Sequence, residues 1–76
     1  MTNATELPTE TTIRTWEGGP IKHRATFARG AGGLTSPIQA DFQVVIYASC
    51  MRDAEECAQH YADSKGVYLI AVNQVQ

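Results

Sequence analysis

A small α+β domain of β-β-β-α-β order, with a four-stranded, mostly antiparallel sheet and one helix packed on one of its faces, is what these 76 residues predict. Three observations carry the prediction. Three stretches, Thr11 to Glu17, Ile21 to Ala28 and Ala40 to Ala48, concentrate or alternate β-branched and aromatic residues. A fourth, Met51 to Lys65, repeats its apolar residues at helical spacing. A last apolar run, Val67 to Val75, follows that helix, so the third strand, helix and fourth strand form a crossover, expected to be right-handed with its two strands parallel.

The first strand, Thr11 to Glu17, stops at Gly18-Gly19-Pro20, a strong turn signal, and a polar, Thr-rich tail, residues 1–10, precedes it. The second strand alternates cleanly. Ile21, His23, Ala25 and Phe27 share one face and Lys22, Arg24, Thr26 and Ala28 the other, so one face is wet. A Gly-rich stretch from Arg29 to Pro37 reads as a flexible connection, because Gly loses the most backbone entropy on ordering. In the third strand Phe42, Val44, Ile46 and Ala48 lie on one side, and Val45 and Tyr47 leave the other only partly polar, which marks a central strand.

The helix is the most strongly patterned element. Ala54, Cys57, Ala58, Tyr61 and Ala62 fall at i, i+3, i+4, i+7 and i+8, one buried stripe. Asp53, Glu55 and Glu56 sit in its first turns, Lys65 near its end and Gly66 just beyond, as the helix dipole and a left-handed cap prefer. Val67 to Val72 is apolar on both faces, the pattern of a strand inside a sheet. A helix of this length is only about 22 Å long and covers one sheet face, so part of the other face is expected to meet a partner or a second copy.

Composition bounds the function. A chain of this length holds one core, and small cores often recruit a second copy, which makes a homodimer an expectation. With 43% hydrophobic and 18% charged residues the chain is of the globular kind. A net charge of −2 and a pI near 5.5 exert no global pull toward nucleic acid or anionic lipid, so binding to either needs a local patch. The polar start lacks the basic and apolar regions of a secretion signal, and no apolar run approaches bilayer length. A cytoplasmic protein with reduced thiols and no membrane partner is expected.

No catalytic constellation, cofactor or metal site is expected. Cys50 stands where the third strand feeds the helix, a place that can activate a thiol, but His60 is ten residues on, about 15 Å up the helix. Only His23, through tertiary contact, remains as a base. Cys50 and Cys57 are about 10 Å apart along a helix, beyond disulfide reach, and a zinc site built on Cys57 and His60 would still need two more ligands. Gly30 to Ser36 lacks the Lys of a phosphate loop and does not open into a helix.

Charge is more informative. Arg14, Lys22, Arg24 and Arg29 put four of the six basic residues in or beside the first two strands, predicting a basic hairpin with Trp16 nearby. Asp53, Glu55, Glu56 and Asp63 make the helix acidic. The candidate partner-binding residues are therefore Arg14, Trp16, Lys22, Arg24 and Arg29 on one side and Asp53, Glu55 and Glu56 on the other. The basic pair either forms solvated edge strands or holds a nucleic-acid backbone with aromatic stacking added.

In its few strands, single helix ending at Gly and final apolar strand, seen here as Asp53-Ala54-Glu55-Glu56-Cys57-Ala58 through Gly66-Val67-Tyr68-Leu69, the chain resembles small phage-borne inhibitor proteins of the type I anti-CRISPR kind. The resemblance lies in size and element order from Thr11 to Val75. It implies a non-enzymatic inhibitor without cofactor that blocks a nucleic-acid-binding or partner-binding surface of a host defence complex, acting in the host cytoplasm. A small nucleic-acid-binding domain using the basic strands is the alternative.

Overall fold

The computed structural model describes residues 7–15, 18–30 and 39–75. Trp16, most of the Gly-rich connection and the first six residues of the tail fall outside them. The elements are β1 (Thr9–Arg14), β2 (Ile21–Ala28), β3 (Phe42–Ala48), α1 (Met51–Lys65) and β4 (Tyr68–Gln74), the order the sequence predicts. β1 starts earlier than its β-branched cluster suggests, because Gln43 N–H donates to the Pro8 carbonyl at 2.8 Å and draws Thr9 and Glu10 into the ladder.

The four strands form one sheet in the order β1-β3-β2-β4. β1 pairs parallel with β3, while β2 pairs antiparallel with both β3 and β4. β3 and β4 therefore run the same way with β2 between them, and α1 connects them by passing across β2. β1 and β2 are not the hairpin expected from Gly18-Gly19-Pro20: β3 is inserted between them. The connection instead steps over the end of β3. Thr15 N–H and its hydroxyl both donate to the Tyr47 carbonyl, at 2.8 and 2.9 Å, and Gly19 N–H returns to the Thr15 carbonyl at 3.0 Å. A Cβ on Gly19 would lie 2.3 Å from the Ala48 carbonyl carbon, so only glycine lets the backbone cross there.

β4 also departs from its sequence pattern. Its two-sided apolar pattern predicts an interior strand, yet it forms an edge. Between Thr26, which faces Ala71, and Phe27, which faces Leu69, the register shifts and Ile70 is the extra residue. That bulge puts Leu69 and Val72, three apart, on the same side against the core. Tyr68 and Ile70 remain 48% and 39% exposed. The strand is apolar on both sides because the bulge interrupts its alternation at an edge, not because both sides are covered.

The core lies between α1 and one face of the sheet. Ala25 and Phe27 of β2 and Phe42, Val44, Ile46 and Ala48 of β3 meet Ala54, Ala58 and Ala62 of the helix. Alanine on the inner helix stripe lets the helix approach closely, and Cys57 and Tyr61 fill its flanks. Phe27 stacks on Phe42 with centroids 5.4 Å apart and tilts against Tyr61 at 5.1 Å, so the large aromatics fill the half of the core toward the helix C-terminus. The helix packs over β4, β3 and β2 and does not reach β1, whose Ile13 borders the core. It ends where expected: Gly66 adopts φ 71° and its N–H bonds to the Ala62 carbonyl. Gly66→Ala should cost about 1 kcal/mol, read as a lower urea midpoint at unchanged slope. Among the described residues no helix is long and apolar enough to cross a membrane.

Candidate functional site

The sheet has a second face, which α1 does not cover. Strand alternation that sends Phe27, Ala25 and His23 toward the helix sends Lys22, Arg24 and Thr26 away from it. On β3 the same alternation turns Gln43, Val45 and Tyr47 outward. Register then sets the neighbours: Arg14 stands beside Tyr47, Lys22 on the other side of Tyr47, and Arg24 between Val45 and Asn73. The Arg14 guanidinium lies over the Tyr47 ring, 4.8 Å from its centroid, which holds both flat along the sheet.

Three cations, Arg14, Lys22 and Arg24, thus share one face with Thr12, Thr26, Gln43 and Asn73, and none of these strand positions carries a carboxylate. Gathering them needs β3 between β1 and β2, since Tyr47 is the residue that Arg14 and Lys22 both flank. Beside Arg24 the surface dips into a depression of about 310 Å³ lined by Arg24, Thr26, Gln43, Asn73, Gln74 and Val75. Its lining is polar but for Val75.

The sequence-derived candidates do not form one surface. Arg29 leaves the cationic group: its guanidinium bonds Glu10 at 2.8 Å and covers the Phe42 ring at 4.6 Å. Its backbone N–H donates to the Asp41 carboxylate at 2.7 Å, closing the β2–β3 connection. Trp16 lies outside the described residues. Lys22 and Arg24 are not on a solvated edge strand either, since β2 is the interior strand between β3 and β4. Asp53, Glu55 and Glu56 belong to α1, on the opposite side of the sheet. Glu55 and Glu56 are exposed, and Asp53 is half-buried. Asp53 and Glu56 border a shallow groove of about 350 Å³ with Thr15, Cys57 and His60.

Sequence reasoning missed Tyr47, Gln43, Thr26 and Asn73 as members of the cationic face. The alternation of β3 holds the signal for Tyr47 and Gln43, which occupy the outward parity, and Asn73 is the first polar residue in an otherwise apolar strand. Their adjacency to Arg24 depends on strand order.

The thiols and imidazoles do not converge. Cys50 is exposed and caps the helix without a side-chain hydrogen bond. Cys57 is half-buried against the core, and burial pushes its thiol up, away from thiolate reactivity. His23 is fully buried on the helix side, where its Nδ1–H donates to the Ile21 carbonyl at 2.9 Å. A base enclosed in this way has no access to an exposed thiol. Among the described residues no three of His, Cys, Asp and Glu gather as a metal site would need.

Fold and face together define a small α+β domain with a mixed four-stranded sheet, acidic over its single helix and cationic on its open side. No family model, curated protein or solved structure matches the chain.

Proposed function

We propose that this chain is a non-enzymatic interaction module that works through the open face of its sheet. The observation that supports this is the gathering of Arg14, Lys22 and Arg24, without a carboxylate among the described positions between them, on a face the helix leaves bare. Like charges brought together on a β-sheet repel, and a face built this way gains when an anionic surface arrives. The setting that accords with the size and element order is a phage or mobile-element inhibitor in the host cytoplasm. There the module would occupy the nucleic-acid-handling surface of a defence complex of the CRISPR kind, phosphate-bearing strand included.

A second reading, direct binding of free single-stranded nucleic acid, is favoured by Tyr47 lying among the three cations, since aromatic and cationic groups on one sheet are what such strands stack and pair on.

One experiment tests the face and separates the readings. Tagged protein is used to recover partners from host lysate, with and without nuclease, beside the double variant Arg14→Glu/Lys22→Glu. Nuclease-resistant recovery of a defined nucleoprotein complex, lost in the variant, supports the inhibitor. Nuclease-sensitive recovery of nucleic acid, lost in the variant, favours the second reading. Recovery unaltered by the variant overturns both. If strands bind directly, log affinity should fall against log salt with a slope of about −0.7 per phosphate neutralised, and Lys22→Gln should flatten that slope by about one such increment.

A further inference from the structure

Arg24 is the cation of the open face whose surroundings are most specific. It lies midway along β2, with Val45 on one neighbouring strand and Asn73 on the other. Its Nε is buried and has no hydrogen-bond partner among the described residues. Among the described residues no carboxylate lines the depression beside it, and its lining includes Thr26, Gln43, Asn73 and Gln74. Gln43 Nε2 donates to Thr26 Oγ1 at a long 3.4 Å, which engages Thr26 as an acceptor and leaves its hydroxyl proton to point elsewhere.

A guanidinium partly withdrawn from water without a counter-charge is costly, and the cost is recovered when an anion arrives. The shape of the donor set limits which anion. Guanidinium presents N–H groups in a planar fork that matches two oxygens of a carboxylate or phosphate, and the hydroxyl and amides around it can reach the remaining oxygens of a tetrahedral group. Lys22, one pleat repeat or roughly 7 Å along the same strand and on the same face, supplies a second cation for a neighbouring phosphate. A single isolated anion has no use for that second charge; a phosphodiester chain does.

We infer that the depression centred on Arg24 is a phosphate subsite that takes one phosphodiester of a nucleic-acid strand, with Arg24 as the fork and Thr26, Gln43 and Asn73 as supporting donors. The inference rests on the open face being the working surface. It adds the ligand group and the residues that hold it.

The probes are inorganic phosphate and a short oligodeoxythymidine, titrated into the full chain while the Arg24 Nε–H resonance is followed by NMR, with sodium chloride at matched ionic strength as reference. Phosphate and the oligonucleotide should both move that resonance, the oligonucleotide at lower concentration, and chloride should not. Asn73→Asp puts a carboxylate beside the fork and should weaken oligonucleotide binding about tenfold, as should Arg24→Gln, which removes a charge-assisted contact. The backbone amide spectrum checks that each variant keeps the fold, and Asn73→Asp keeps Arg24 in place.

A resonance unmoved by both probes, or variants that bind as the unaltered chain does, overturns the subsite. A response to phosphate but not to the oligonucleotide overturns its assignment to a strand. If partner recovery is lost in Arg14→Glu/Lys22→Glu but unaffected by Arg24→Gln, the subsite falls while the open face stands as the interaction surface.

Discussion

Gly19→Ala should remove at least about 3 kcal/mol of stability, the largest effect expected from adding a single methyl to this chain. The added Cβ would sit 2.3 Å from the carbonyl carbon of Ala48 and 2.4 Å from the nitrogen of Ser49, both backbone atoms. No rotamer change relieves a clash with main chain. Relief requires lifting the β1–β2 connection off the end of β3, and that connection is held by the bonds from Thr15 to the Tyr47 carbonyl and from Gly19 to Thr15. A domain of this size has a total stability of roughly 4–11 kcal/mol, so the loss is a large part of it. Urea unfolding read by circular dichroism measures the change. Gly30→Ala is the control: among the described residues nothing lies within 4 Å of a Cβ built there, and its midpoint should stay within about 0.5 kcal/mol of the parent. Equal midpoints for the two variants would mean that the chain does not cross β3 as described.

Phe27→Ala is expected to cost about 3–5 kcal/mol by leaving a cavity at the centre of the aromatic cluster. Phe27 is fully buried and is the residue on which Phe42 stacks and against which Tyr61 tilts. Its neighbours are anchored on β3 and on α1, so neither can collapse into the space without moving its element. Phe27→Leu preserves most of the volume and should lose about 1.5 kcal/mol or less. Thermal unfolding of both variants provides the comparison. If alanine and leucine there melt together, the site relaxes freely, and the packing between sheet and helix is looser than the distances imply.

Much of the fold is legible from residue order because the determinants are local. The bounds of α1 follow from a stripe of Ala54, Ala58 and Ala62 and from Gly66, whose left-handed conformation needs no tertiary help. β2 runs from Ile21 to Ala28 as its alternation predicts, and β3 has the central position its two-sided apolar pattern suggests. Where the structure departs from these local patterns, a non-local choice intervenes. Gly18-Gly19-Pro20 looks the same whether the chain turns back beside itself or steps across another strand. Val67 to Val72 looks like an interior strand until the bulge at Ile70 is known.

The candidate site divides along the same line. Residue order alone provides the cations and the acids and sets which positions of each strand share a face, because a side chain's facing follows from the two-residue period of its own strand. It does not provide neighbours across strands. Insertion of β3 between β1 and β2 is what sets Arg14 and Lys22 on either side of Tyr47, and pairing of β2 with β4 is what sets Asn73 beside Arg24. The same packing removes Arg29 to Glu10 and Phe42. By itself the sequence determined the elements, the two-sidedness of the sheet and the sign of its charges, all properties written within a few residues of chain. Strand order, the edge position of β4 and the assembly of the cationic face were decided only in the tertiary structure, because they depend on hydrogen bonds and contacts between residues far apart in sequence.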